Sequence, residues 1–414
     1  MTIKRDSVIT FLVLANFLTF IVILFILKER VSCRKNLNTE VMIEDVLDTL
    51  QPNKSTFLET TTKHLSSTSS HSHLTDEDMT ATGLAESGLQ GTFSSRRHLG
   101  ERCSPKMIAR IAQNRPISQS NCPNNEKWLP FAVPGPDTQR LPRVVFIGCN
   151  KGYDFVEAAR LFSWNASFSK KSVFQHHNLQ DTGACQTANH PEAQIPPEKT
   201  ARRIDALCVE PMPSNAKILR DAFTALKYYP QVTFLQAAVG HVHGTVPFHN
   251  GKPGTESWGI YSKVDCVSCF TDVNITFLDN ILLHKLRAED ITGAKGDQSR
   301  RGTVDFLSID TEGNDMRVLI GAIGLLMEHR VRYLEFEYHS VGKWSTSDLE
   351  DIVDLMDHFG FDCFFSGVHK LWRLTGCFDQ SYRTHRHWSN VACVLRTEVQ
   401  LLQKMDEIAK MSVL

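Results

Sequence analysis

The stretch Arg143-Val-Val-Phe-Ile-Gly-Cys-Asn-Lys-Gly152 decides the fold. Its first five residues form a short apolar run that stops at a glycine, which reads as a buried strand. Glycines at 148 and 152 let the backbone turn sharply and come close to a ligand. Beyond them, Phe155, Ala158, Ala159 and Phe162 recur at helical spacing on one face.

The alternation of strand and helix continues along the chain. Ile204 to Val209 reads as a second strand. Ser214 is placed to cap a helix reaching Tyr228, with Ile218, Leu219, Ala222 and Leu226 as its apolar stripe. Val232 to Leu235 is a third strand and Val304 to Ile309 a fourth, followed by a helix over Met316 to Met327. Val331 to Phe336 is a fifth. Ser347-x-x-Glu350 is a capping box for a helix that stops at Gly360. Phe361 to Val368 and Asn390 to Leu395 close the domain as an antiparallel pair. This order predicts an α/β fold with a mostly parallel sheet and helices on both faces. Such sheets bind ligands beyond the carboxyl ends of their strands.

The chemistry-bearing residues cluster at those ends. After Gly148-Cys149-Asn150-Lys151-Gly152 a helix N-terminus offers free N–H groups to an anion. The pattern is not G-x-G-x-x-G, so a dinucleotide fingerprint is absent. The second strand ends Val209-Glu210-Pro211, where an acid can accept from both hydroxyls of a ribose. A glycine turn and then an acid read as a nucleoside site. The fourth strand ends in Asp310-Thr311-Glu312-Gly313, whose two carboxylates point one way in an extended chain. The fifth ends in Glu337-Tyr338-His339, and Glu337 and His339 share a face if the strand continues. These four are candidate acid and base groups for a hydroxyl proton near neutral pH.

Four ordered motifs now resemble one family. They are Phe146-Ile-Gly-Cys-Asn-Lys-Gly152, Val209-Glu-Pro-Met-Pro-Ser-Asn215, Ile275-Thr-Phe-Leu-Asp279 and Val304-Asp-Phe-Leu-Ser-Ile-Asp-Thr-Glu-Gly313. Phe234-Leu-Gln-Ala-Ala-Val-Gly240 adds to the set. The region from Arg143 to Arg396 resembles the FkbM family of S-adenosylmethionine-dependent methyltransferases. The resemblance implies a class I methyltransferase (Rossmann-like) fold and S-adenosyl-L-methionine as cofactor. It also implies O-methylation of a hydroxyl, with a glycan among the acceptors. Gly148, Cys149, Asn150 and Gly152 would lie along the methionine part, Glu210 on the ribose, and Ala237 and Ala238 beside the adenine. Asp310, Glu312, Glu337 or His339 would orient the acceptor or take its proton. Two positions depart from the pattern: Phe146 stands where the family usually has an acid, and Lys151 where an apolar residue is common.

Outside this domain the chain changes character. Val8 to Leu27 is apolar apart from Thr10, Asn16 and Thr19, and about 20 such residues rise roughly 30 Å as a helix, the depth of the hydrocarbon core. The expected layout is a tail over 1–7, a signal anchor over 8–27 and a Ser/Thr-rich stem over 28–99. A lead-in over 100–142 and the methyltransferase-like domain over 143–414 follow. Lys28, Arg30, Arg34 and Lys35 outnumber Lys4 and Arg5, which by charge alone puts the C-terminal part in the cytosol. The acceptors Asn53, Asn165 and Asn274 and the hydroxyl-rich run Ser55 to Ser95 oppose that orientation. The layout resembles that of Golgi-resident glycan-modifying enzymes, and a lumenal domain in the Golgi or ER is the expectation.

The remaining features narrow the partners. Over 414 residues the formal charge is -1, so no global basic field exists to hold nucleic acid. His176, His177, Cys185 and His190 match no metal pattern, and Phe168 to Arg203 reads as a surface loop, as does Arg287 to Gly302. Cys266 and Cys269 lack a second pair for a zinc ribbon, so no metal is expected. In a lumen, some of Cys103, Cys122, Cys185, Cys208, Cys363, Cys377 and Cys393 would pair, while Cys149 reads as a small buried residue. Two other readings stay open. A non-enzymatic binding module is favoured by Phe146, and a Golgi glycosyltransferase would use Asp310 and Glu312 on a metal.

Overall fold

The computed structural model describes residues 124–135, 140–179, 191–256, 259–260, 269–292 and 302–413, with Cys103, Cys122 and Cys185. The first half of this region supplies β1 (Arg143–Ile147), α1 (Tyr153–Ser163), α2 (Lys170–His177), β2 (Asp205–Val209), α3 (Pro213–Ala225) and β3 (Val232–Leu235). A small sheet follows from β4 (Ala238–Val239), β5 (Gly244–His249) and β6 (Phe270–Thr276), then α4 (Leu278–Thr292). Next come β7 (Phe306–Ile309), α5 (Asp315–Ile320), α6 (Ile323–Met327), β8 (Tyr333–Tyr338) and α7 (Leu349–His358). The end is β9 (Phe361–Ser366), β10 (Leu371–Arg373), β11 (Ser389–Leu395) and α8 (Val399–Val413).

The main sheet runs β10-β9-β11-β8-β7-β1-β2-β3. Pairing is parallel from β8 through β7, β1 and β2 to β3, and antiparallel among β8, β11, β9 and β10. The chain therefore steps from β1 outward through β2 to β3, then returns to β7 on the other side of β1. The carboxyl ends of β1 and β7 flank that reversal, where open parallel sheets leave a crevice.

Burial explains why β1 is a strand. All five of its residues are buried, as expected for the centre of a parallel sheet. Phe146 points into the core, edge-on to Phe155 at 5.6 Å and Phe306 at 5.3 Å between ring centroids. The face of α1 foreseen from spacing, Phe155, Ala158, Ala159 and Phe162, is buried in the same cluster. The lead-in adds Trp128, whose indole N–H donates to the Tyr333 hydroxyl at 2.8 Å. At the amino-end edge of the sheet, Asp305 is buried among Arg140, Arg332 and the Arg143 main-chain N–H.

Several boundaries differ from expectation. Ser214 does not cap α3; Met212 is the N-cap, and Pro213 opens the helix with φ already set. The buried stripe of α3 is Asn215, Ala216, Leu219, Ala222 and Phe223, so Ile218 and Leu226 lie at its margin. The helix expected over Met316 to Met327 is broken into α5 and α6. Gly321 lies against the Gly240 carbonyl where a side chain would collide, and Asp279 caps α6 through the Gly324 and Leu325 N–H groups at 2.7 and 2.9 Å. The cap of α7 is Asp348, accepting from Glu350 N–H at 3.0 Å, and not Ser347. Within Phe168 to Arg203 the chain forms α2, and Arg287 to Thr292 is the last part of α4 and not loop.

Disulfides among the described residues include Cys103–Cys377, Cys122–Cys185, Cys149–Cys208 and Cys363–Cys393. Cys149 is buried, as expected, and is bonded to Cys208 of β2. Among the described residues, no helix is long and apolar enough to cross a membrane. The apolar segment 8–27, the stem and Asn53 lie outside the described residues.

Candidate active site

The cleft forms where the turn after β1 meets the ends of β2 and β7. Gly148 sits at φ 90°, and a side chain on it would collide with the Asp310 carbonyl, so only glycine fits. Gly148 and Cys149 both donate their main-chain N–H to the Val209 carbonyl, at 2.9 and 3.1 Å. This bends the turn over β2 and leaves Asn150 at φ 47°. Asn150 then donates its N–H to Glu210 Oε2 at 2.8 Å, while Met212 N–H reaches Oε1 at 2.9 Å. Glu210 is 4% exposed, and burial pushes its carboxyl up to about 7 against the pull of those donors and Asn215. A second tier holds the turn: Asn215 Nδ2 donates to Asn150 Oδ1 at 3.3 Å and accepts from Gly254 N–H at 2.7 Å.

The cleft encloses about 570 Å³ of free space, its open mouth included. Gly148, Asn150, Glu210, Ala237, Ala238, Asp310 and Glu312 line it. Its apolar wall is the cluster under the small sheet, in which Met212, Ala238 and Phe248 pack with Ile260. Gly152 and Cys149 are not among the lining residues. Gly152 packs on Leu219 at the start of α1, and Cys149 is buried on its bond to Cys208. Lys151 is buried and ion-paired with Glu256, which reaches the cleft from the segment after β5. Phe146 does not line the cleft either.

The acidic end is built by β7 and β8. The register Ile309 beside Phe336 carries the next residues, Asp310 and Glu337, to neighbouring strand ends. Glu312 is held at φ 54° in a tight turn. Buried Asp315 holds that turn by accepting from Thr311 N–H at 3.1 Å, Gly313 N–H at 3.2 Å and Trp344 Nε1 at 3.2 Å. Asp310 and Glu312 therefore meet in the cleft through a left-handed turn and not through an extended strand. β8 runs on to Tyr338, so Glu337 and His339 come together, with His339 Nε2 3.8 Å from Glu337 Oε2. The Asp310 and Glu337 carboxyls stand well above the usual carboxylate range. Burial is the main cause, followed by nearby acids: Glu337 and Glu312 act on Asp310, and Glu312 and Asp315 on Glu337. Burial also lowers the His339 ring to about 4, so it is neutral near pH 7.

Glu312, Glu337 and His339 bring one ligand atom each within 4.8 Å of one another, a spacing that a cation can bridge. The His339 ring opposes that use. Its Nδ1 accepts the Val341 main-chain N–H at 3.1 Å, which leaves the ring hydrogen on Nε2. Nε2 thus presents a donor to the cluster and no lone pair for a metal.

The sequence reading missed Asn215, Asp315, Phe248 and Trp388. Asn215 closes one quoted motif and Asp315 follows another, so both were legible as neighbours of charged strand ends. The others reach the site only through tertiary packing.

Residues 288–363 match the model of the methyltransferase FkbM domain, the family that the motifs resemble. The matched segment contains β7, β8 and all four candidate acid-base residues, Asp310, Glu312, Glu337 and His339. No curated protein and no solved structure matches the chain.

Proposed function

We propose that this chain is an S-adenosylmethionine-dependent O-methyltransferase of the class I fold, acting on a hydroxyl-bearing acceptor such as a glycan. One observation carries the reading: a single cleft joins a ribose-type acid, an apolar wall and Asp310, whose buried carboxyl is raised by burial and by neighbouring acids.

The residues fit the cofactor. Ala237, Ala238, Val239 and Phe248 offer adenine an apolar slot. Glu210 has lone pairs beyond those taken by Asn150 and Met212, and these suit two ribose hydroxyls. Asp310 Oδ1 is buried without a hydrogen-bond partner, and an ammonium group would satisfy it. When bound, S-adenosylmethionine supplies an electrophilic methyl group. The chain's part is to hold the acceptor hydroxyl in line and receive its proton. Burial and neighbouring acids raise both carboxyls, which suits Asp310 or Glu337 to receive the acceptor's proton. Phe146 lies in the core against Phe155 and Phe306, so it neither fills the cleft nor supplies an acid there.

In this reading Val8 to Leu27 anchors the chain and the domain faces the lumen. The cysteine pairs suit an oxidising compartment. The test is binding of S-adenosylhomocysteine to the purified full chain, read as a rise in unfolding temperature. Ligand at 100 times its dissociation constant adds about 2.7 kcal/mol. No rise from well-folded protein rejects the cofactor assignment.

A further inference from the structure

The segment after β5 walls one side of the cleft, and two glycines pin it there. Gly254 donates its main-chain N–H to Asn215 Oδ1 at 2.7 Å and sits at φ 79° against Leu179 and the Lys151 stem. Gly259 lies against the Glu312 carbonyl, where a side chain would collide. Thr255 and Glu256 follow the first of these points and line the cleft, and Ile260 follows the second and joins its apolar wall.

Glu256 is held by Lys151. That lysine is 4% exposed, and its ammonium is paired with Glu256 and lies 5.9 Å from the centroid of the Tyr153 ring. Its main-chain carbonyl meets His177 Nε2 at 3.0 Å. A lysine is buried this deeply only when its charge is met, so Lys151 is committed to its carboxylate partner. The Glu256 side chain, by contrast, is 36% exposed and faces the cleft.

The charge that a ligand meets is one-sided. Glu210, Glu256, Asp310 and Glu312 line the cleft, and among the described lining residues none is Lys, Arg or His. With adenine in the apolar slot and the ribose on Glu210, the other three acids are left for the amino-acid part of the cofactor. Carboxylates without a cation among them fit an ammonium group. Glu256 is also one of the acids whose charge raises Glu337, the neighbour of Asp310, which sets it toward that end.

We infer that Glu256 selects the amino-acid part of the cofactor by accepting from its ammonium group, and that Lys151 is the positioning residue that holds Glu256 for this task. The assignment rests on the methyltransferase reading of the cleft. A carboxylate already paired is fixed before the ligand arrives, which lowers the cost of binding. The two departures from the family pattern then have one account. Phe146 supplies no acid from β1, and Lys151 brings one in from the segment after β5.

The experiment compares two ligands on the full chain by calorimetric titration. One is S-adenosylhomocysteine; the other is 5′-methylthioadenosine, which keeps the nucleoside and lacks the amino-acid part. The wild type should bind the first more tightly by about tenfold or more, the range for hydrogen bonds to a charged group. Glu256→Gln should weaken S-adenosylhomocysteine by about tenfold and leave methylthioadenosine unchanged. Lys151→Met, which keeps the buried stem, should show the same selective loss, and Lys151→Arg, which keeps the pair, should retain most of the affinity. On top of Glu256→Gln, Lys151→Met should cost little more, because the two side chains act as one unit. Equal affinity of the wild type for both ligands overturns the inference, as does a Glu256→Gln effect that is nil or falls equally on both. A Lys151→Met loss shared by both ligands overturns the positioning role. If methylthioadenosine binds and S-adenosylhomocysteine does not, the nucleoside site stands and the Glu256 assignment falls. If well-folded wild type binds neither, the cofactor reading itself falls.

Discussion

Glu210, from the end of β2, is held by the main-chain N–H of Asn150, from the turn after β1, at 2.8 Å. The acid is thereby fixed by the loop that would receive the cofactor's other end, and its carboxyl is aimed before any ligand arrives. Such preorganisation lowers the cost of binding. Glu210→Ala should weaken S-adenosylhomocysteine by about 1.5–3 kcal/mol, the range for hydrogen bonds to a charged group. Calorimetric titration of both proteins checks this, and equal affinity would reject the ribose assignment.

The same carboxyl predicts a pH response. Its folded pKa is raised from 4.5 to about 7, so its contribution to stability is complete below about 4.5 and is lost as pH rises through about 7. The ligand-free protein should lose stability over that window, and Glu210→Ala should flatten the slope. Cofactor binding should move the opposite way, because the ionised form accepts ribose hydroxyls best. Unfolding temperatures at pH 5, 6, 7 and 8 with and without ligand separate the two trends.

Gly148 admits no substitute. At φ 90° and against the Asp310 carbonyl, a methyl group has no room, and the strand ends must part. Gly148→Ala should cost well over about 1 kcal/mol. Differential scanning calorimetry of the variant gives the number, and an unchanged unfolding temperature would contradict the described turn.

Asp305 lies at the end of β7 away from the cleft, and its salt bridges predict a stability effect without a binding effect. Removing one member of a buried ion pair costs about 3–5 kcal/mol. Asp305→Asn should approach that loss yet leave S-adenosylhomocysteine affinity unchanged in protein that remains folded. Arg140 and Arg332 hold this carboxyl below its ordinary range despite burial. Its stabilising share is therefore present above about pH 3.9 and fades as pH falls through the folded pKa. Urea titrations at pH 7 and pH 3 measure both statements.

Much of this was legible in the sequence because local and global signals agree. The apolar run of β1, its glycine turn and the acid closing β2 each carry their own signature. The failures arose where packing overrides local preference. α5 stops at Gly321, whose bare Cα lets the Gly240 carbonyl lie against it, a contact that the helix pattern does not show. Asp348 caps α7 although Ser347 and Glu350 fit a capping box. His339 looked like a base, and only the Val341 N–H on its Nδ1 shows it to be a donor. Trp388 carries no motif, and its place over His339 depends on the pairing of β11 with β8.

Cys103 meets Cys377 across 274 positions of sequence. A chain emerging from the ribosome cannot make this bond until the whole stretch between the two cysteines has been synthesised. Any product cut short before Cys377 keeps an unmatched thiol at its lead-in, a chemical mark that separates unfinished copies from finished ones.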